Sequence, residues 1–511
     1  MRSTFMGLET NKRGLYTQQS ALYTTGHNIS NANTLGYSRQ RVNMEATSGF
    51  PGVGLNTGTM PGFLGTGVQS GSIQRIRDNF VDHQFRQESN KFGYWESRSN
   101  AISQMEDVLT EPSDYGLQKS LSEFWKSLQD LATSPENGGT RAVAVSKGEA
   151  VADSFNYMHK SLSEIQANLG KEIDFAATDI NSILHQIADL NRQISEVEPN
   201  GYLPNDLYDA RDMLLDELST YVPIETSYDK SGGRALAIAE GSVTVTLKTA
   251  GGSVELVKGS NSATFETNPD SLIGNDKHNI PIEGMSIRDA SGAQHGLAHD
   301  EFLNLGKLKS LMNSYGVDDG TAEGKGLYPD MIAELNKMAA AFANEMNKVH
   351  SEGTDLEGNQ GGKFFDTVGS GPFTAGNITV NTDLIGNPNL LAASDSTGGA
   401  EEGNGKNAQR LSEVQSKALG GLDGATVDTF FQGMIGKLGV EGEQASKLTL
   451  NTVTLLGAVE HRRASISSVS LDEEMTDMIR FQQAYNASAR MITIVDETLD
   501  KIINGMGIAG R

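Results

Sequence analysis

Two thin apolar seams, one at each end of the chain, constrain its fold more than any other feature. Near the N-terminus Leu8, Leu15, Leu22 and Ile29 recur every seven residues, with Phe5 extending the same face. Asn11, Lys12, Gln18, Gln19 and Thr24 lie between them. Residues 3–29 therefore read as a long polar helix with one narrow apolar stripe, the pattern of a coiled-coil strand. At the other end Leu471, Met475, Met478, Gln482, Tyr485, Ala489, Ile492, Asp496, Leu499 and Ile503 alternate spacings of four and three. Asp472, Glu473 and Glu474 favour a helix start there, because carboxylates complement the positive end of the helix dipole. Gln482 and Asp496 interrupt the stripe, and such polar insertions can fix register. Gly505, Gly507 and Gly510 end the chain loosely. A single amphipathic helix is most often one buried face of an intramolecular bundle. Two thin seams at opposite ends bury too little area as an isolated pair to offset backbone ordering. They predict termini that order by packing as coiled coils in an assembly.

The middle of the chain is organised differently. Its 511 residues exceed what one core supports and predict about three domains. Leu162, Ile165, Leu169, Ile173, Ala176, Ile180, Ile183, Ile187, Leu190 and Ile194 run at spacings of three and four, predicting one long helix that ends before Pro199. Shorter helices are expected over 117–131, from Pro204 to before Pro223, over 302–313, over 331–349, and from about Ala445 to the break at 465–470. At Ile224 the period changes to two. Leu236 with Ile238, Val243 with Val245 and Leu247, and Val254 with Leu256 predict strands between Gly-containing turns. The Gly/Asn-rich stretch 353–404 is expected to complete this β region. The expected fold is α+β and multidomain, with a terminal α-helical coiled-coil stalk, a helical bundle domain and a small antiparallel β domain. The stalk takes residues 1–48 with 441–511. The helical domain takes 49–225 with 302–350 and 405–440, and the β-rich outer domain takes 226–301 with 351–404.

Composition excludes several kinds of function. The formal charge of −24 and pI near 4.8 repel nucleic acid and anionic membrane surfaces, and no basic cluster offsets this. The absence of cysteine removes disulfides, thiolate metal sites and cysteine nucleophiles together. No apolar run approaches the ~20 residues of a membrane span, and the first residues lack the apolar stretch of a signal peptide. The nine histidines form no metal-binding pair at helical spacing. His27 reads as a helix-end residue. Asp355, Glu357, Gly358 and Asn359 lack the remaining spacing of a calcium loop and read as a turn. Gly65 and Gly67 lack the third glycine of a dinucleotide fingerprint. The chain is expected to have no catalytic residues, no metal and no cofactor.

After the first helix, 28–40 reads NISNANTLGYSRQ. By residue type it is a helix stop and a loop, with Gly36 able to take a positive φ. Asn28, Asn31, Thr34, Gly36 and Tyr37 resemble the N-terminal signature of flagellar rod, hook and hook-associated axial proteins. Ser38, Arg39 and Gln40 continue it as hook-associated members do. The segment 481–505, FQQAYNASARMITIVDETLDKIING, is similar to the C-terminal helix of those members, and 65–88, 117–135 and 205–217 follow the same pattern. Leu35 departs from it, since many members carry Pro there, and so does the Gly-rich acidic insert around 316–325.

The resemblance implies a structural part of the bacterial flagellum joining hook to filament, extracellular, and exported by the flagellar type III channel without a cleaved signal peptide. With the two seams read from spacing, assembly is expected as a ring of copies meeting head to tail through Phe5, Leu8, Leu15, Leu22 and Ile29 and through Leu471, Met475, Met478, Tyr485, Ala489, Ile492, Leu499 and Ile503. The implied partners are hook protein, a second junction protein or flagellin, and an export chaperone on the C-terminal helices. Two alternatives remain at this point: a hook or distal-rod axial protein, and a secreted adhesin whose β domain binds a ligand.

Overall fold

The computed structural model describes residues 5–50, 64–109, 116–266, 282, 284–303, 305–320, 324–369, 371–396 and 399–505. The chain runs out and back along two successive pairs of antiparallel helices. The first pair is α1 (Met6–Ser30) with α11 (Leu471–Asp500). The second is α2 (Asn79–Leu109) with α10 (Val427–Ser467), a helix about 60 Å long. Antiparallel pairing of the second pair is fixed by Arg98 on Glu441 near one end and Arg463 on Asp82 near the other. Gly442 lets the two backbones approach, since a Cβ there would lie 2.7 Å from Glu106 Oε1 and 3.2 Å from Ile102 Cγ2. Ser468, Val469 and Ser470 separate α10 from α11, at the break expected from the sequence.

The helical body is built on α4 (Gly138–Val197), with α3 (Leu117–Thr133), α5 (Asn205–Tyr221), α6 (Lys307–Tyr315) and α7 (Leu327–Ser351) around it. The expected long helix is there and starts more than twenty residues earlier, because Val145, Val151, Ala152, Phe155 and Met158 continue its buried face. Phe302 stands outside α6, bridging to Thr249.

Two small antiparallel sheets lie against the second half of α4. One contains β3 (Ile224–Asp229), β4 (Ser242–Thr249), β5 (Gly252–Lys258) and β6 (Asn261–Ser262). The other contains β7 (Thr264–Glu266), β8 (Gly284–Arg288) and β9 (Gln294–Ala298). Leu236 and Ile238, expected in a strand, sit in turns between β3 and β4. Their alternation spans too few residues to make a ladder.

The outer β domain joining 226–301 to 351–404 does not form. Strands β10 (Phe365–Thr367) and β11 (Ile378–Val380) pair with each other alone and pack on α4 and α7. Phe364 and Phe365 enter a fully buried aromatic cluster with Phe124, Trp125 and Phe342, with Phe342 and Phe365 ring centroids 5.1 Å apart. Gly148 on α4 makes room, since a Cβ there would lie 2.7 Å from the Phe364 ring. Burying Phe364 and Phe365 in this cluster, roughly 1.5–3 kcal/mol for each side chain, holds the segment on the helical body. Residues 405–440 supply the short helix α9 (Lys406–Glu413) and the start of α10; α8 (Thr382–Gly386) precedes them.

Candidate assembly interface at the terminal helices

On the α1 side the seam between α1 and α11 is small and polar. A Cβ built on Gly7 would lie 3.8 Å from Val495 Cγ2, and one on Gly14 would lie 3.4 Å from Ser488 Oγ. Asn28 Nδ2 donates to Glu474 Oε2 at 3.0 Å. These contacts repeat every seven residues in antiparallel register, as in a two-stranded coiled coil. On α1 the buried residues are Thr17, Ala21, Thr24, Thr25 and Asn28.

The predicted stripes lie beside this seam. Leu8, Leu15, Leu22 and Ile29 are half-buried at its edge, and Phe5 is exposed. On α11, Met478, Tyr485 and Ile492 are half-buried and Leu499 is buried, so every seventh residue of the predicted set faces α1. The alternate positions do not. Glu474, Phe481, Ser488 and Val495 complete the inner face, while Leu471 and Met475 are exposed and Ala489 is half-buried. Ile503, on the π-helical turn Lys501–Gly505, is 67% exposed. Apolar patterning missed this face because small side chains at Gly7, Gly14 and Ala21 set the helix approach.

The 28–40 segment is a joint. Asn28 is 1% exposed and all four hydrogen-bonding positions of its amide are used. Nδ2 donates to Gln40 O at 2.8 Å as well as to Glu474, while Oδ1 accepts from Gln40 N at 3.0 Å and Tyr37 Oη at 2.8 Å. Burial, with Asp206, Asp209 and Glu474 nearby, pushes the Tyr37 phenol well above its ordinary range, keeping it a donor. Its oxygen lies 2.9 Å from His27 Nδ1. Asn31 folds back on the helix end, donating to His27 O and accepting from Thr34 Oγ1. Gly36 has φ 78°, and a Cβ there would lie 2.2 Å from Met213 Sδ.

Ser38 and Gln40 tie the joint to α5, and Arg39 ties it to α11 and to the end of α10. Ser38 N donates to Asp209 on α5 at 3.0 Å. Arg39 donates from Nε to Glu474 (2.7 Å) and from Nη1 to Glu473 (2.6 Å), and its backbone N–H donates to Ser467 O (2.8 Å). Gln40 begins β1 (Gln40–Ala46), which pairs with β2 (Val68–Arg75), and its side chain bonds Asp206 and Asn205 at the start of α5.

Sequence reasoning missed the ionic cluster next to the joint. Arg75, Arg77, Arg86, Arg211 and Arg463 interleave with Asp82, Asp209, Asp212, Asp216 and Glu240. Arg75 reaches Asp209 at 2.7 Å and Asp212 at 2.9 Å, and Arg463 of α10 reaches Asp216 at 2.6 Å. Burial acts to raise the Asp212 carboxyl, but Arg77, Arg75, Arg86 and Arg211 outweigh it and hold it well below the usual carboxylate range. Its acids recur at Asp209, Asp212 and Asp216 on one face of α5, a helix-spaced signal legible in the sequence. The cluster clamps α2, α5 and α10 in fixed relation. Its carboxylates are occupied by guanidinium groups, and among the described residues no group of three or more His, Asp or Glu could hold a metal ion. Asp355 Oδ1 accepts from the Glu357 and Asn359 N–H groups at 2.8 Å each, as a turn does. No helix among the described residues is long and apolar enough to cross a membrane.

The stalk of paired terminal helices continues as a long-helix rod into an α+β body. A family model for the flagellar hook-associated protein FlgK helical domain matches residues 102–365, and one for the flagellar basal body rod FlgEFG protein C-terminal region matches 463–505. The chain is 43% identical to flagellar hook-associated protein 1 of Bacillus subtilis (strain 168), over 100% of both chains. It is 25% identical to the protein of that name from Salmonella typhimurium (strain LT2), covering 96% of this chain and 98% of the relative. Its fold is similar to the solved flagellar hook junction protein FlgK from Burkholderia pseudomallei, with TM-score 0.60 and 14% identity over 76% of this chain and 100% of that one. The chain belongs to the flagellar hook-associated protein 1 family, whose members are structural components of the flagellum.

Proposed function

We propose that this chain forms the junction between hook and filament, assembling head to tail through its terminal helices. The observation that carries the reading is the residue pattern of the stalk: small and polar residues line the α1 side of its seam, while many aromatic and aliphatic side chains of both helices face outward. Phe5, Tyr16, Tyr23, Leu471, Met475, Ile479, Met491 and Ile494 are all exposed. Such a stalk gains stability from neighbours more than from itself. Heterologous contacts of this kind close into rings or continue as helical tubes. One end of the ring meets hook protein and the other meets a second junction protein or flagellin, with the body carried outside. Before assembly, the apolar flanks of α11 offer a helix-binding target to an export chaperone, and export through the flagellar type III channel brings the chain outside the cell.

The test is a strain lacking the chain, complemented by a copy tagged in the exposed 230–238 turn region. Without it, hooks should form, filaments should be missing and flagellin should accumulate in the medium. The tagged copy should restore filaments and label the hook–filament border. Attached filaments in the strain lacking the chain, or label spread along hook or rod, would sink the proposal.

A further inference from the structure

We propose that the outward stripe of α1 in one copy docks against the flank of α11 formed by Leu471, Met475 and Ile479 in a second copy. The inference rests on the head-to-tail reading above and names its contact. At about 100° per residue, Phe5, Lys12, Tyr16 and Tyr23 fall on a single stripe of α1, opposite Gly7, Gly14 and Ala21. Phe5 is 57% exposed, Tyr16 56% and Tyr23 82%. Lys12 Nζ lies 5.9 Å from the Tyr16 ring centroid. Leu471, Met475 and Ile479 are 47%, 51% and 60% exposed. They form a flank roughly 110° around α11 from its seam with α1.

The charges identify the occupant. Helix α11 carries seven carboxylates against Arg480 and Arg490, and Asp472 stands beside Leu471 at the flank. Two α11 flanks would therefore repel each other, as would most acidic surfaces of a chain with net charge −24. Helix α1 has Lys12 and Arg13 against Glu9, and Lys12 lies in the aromatic stripe. It is both apolar and cationic, which is what the flank requires. The stripe points away from the α11 of its own chain, so the contact joins two copies. Because donor and acceptor surfaces differ, each copy uses both, and the contact propagates in one direction.

The chain contains no cysteine, so engineered thiols report one contact without background. Two differently tagged single-cysteine versions, Y16C and M475C, are produced together in cells lacking the native copy, and flagella are isolated and oxidised. Y23C with L471C samples the same contact one turn or more away, since the two helices run antiparallel. The expected result is a covalent dimer carrying both tags for at least one pair, absent when either version is produced alone. Attached filaments containing both versions, without a mixed-tag dimer from either pair, would overturn the docking while leaving the junction reading intact. Preferential capture of I494C by Y16C, or of a different flagellar protein, would overturn it too. If filaments stay attached without the chain, the junction reading fails; a mixed-tag dimer in its soluble oligomers would then still support the docking.

Discussion

Asparagine does similar work at four places in this molecule. Asn28, Asn181, Asn191 and Asn347 each stand on a helix, donate to the carbonyl and accept from the N–H of one residue in an extended segment. The partners are Gln40, Phe265, Val243 and Phe365. A carboxamide repeats the donor and acceptor of a peptide group, so each supplies a ladder contact from a helix. Asn28→Ala should destabilise the terminal helices by about 2–3 kcal/mol, since it leaves buried backbone groups unpaired. Asn28→Asp should do worse, because it also sets a carboxylate against Glu474. Amide exchange across α1 and β1 would read both, and protection equal to the parent chain would refute the clasp. At Gly36 two constraints coincide. Gly36→Ala should lower stability through both the left-handed backbone and Met213, and adding Met213→Ala should recover only the steric part. Full recovery in thermal melts would mean that the backbone strain is absent.

The elements show where patterning succeeds and where it stops. Long helices with strong three-four spacing were legible, including the break before α11, because the period alone decides them. The α1–α11 seam was legible only at every seventh residue: side-chain size, not apolarity, sets that face. Residues 351–404 were assigned to the wrong neighbour, since strand-like composition does not say which surface two adjacent phenylalanines will fill. Between elements, Arg39 joins Asn28 in tying the joint to the first turn of α11. A double-mutant cycle of Arg39→Ala and Glu474→Ala should give a coupling of about 1–2 kcal/mol, read from stalk unfolding. Additive effects would mean the pair acts independently.

The end of α7 should respond to acid. Burial pushes the His350 imidazole below its ordinary value near 6.5, and the Gly362 carbonyl and Asp355 only partly oppose this, with Arg141 adding to it. Nε2 accepts from Ala392 N at 2.9 Å and Nδ1 is 2.8 Å from Gly362 O, so the neutral ring is fully bonded. A depressed folded value means that the unfolded chain binds the extra proton first. Stability is therefore full above about pH 6.5 and declines as pH falls toward 5. The same direction holds for His159 and His299. Melting followed by tryptophan fluorescence should drop over that window in the parent and drop less in His350→Gln. Parallel pH profiles would remove His350 as the cause.

At the scale of the molecule, the buried apolar core runs from Ala101 to Ala445 and includes no residue of α1 or α11. The stalk and body should therefore be separable. A chain trimmed to residues 38–469 should keep a cooperative melt reported by the fully buried Trp125, within a few degrees of the full-length protein. Loss of that transition would show that the stalk supports the body's core. The resemblance of 28–40 and 481–505 to flagellar axial proteins located the structural class at once, and the out-and-back order of helices followed from spacing along the chain. These properties are local: a heptad, a cap or a motif is written in neighbouring residues. Four further facts lay beyond local reading: the partner of each seam, the attachment of 364–365 to the helical core, the interleaved arginines and aspartates, and the outward aromatics of α1. Each depends on which distant surfaces meet, and that is decided by side-chain volume, paired charge and satisfied hydrogen bonds in three dimensions.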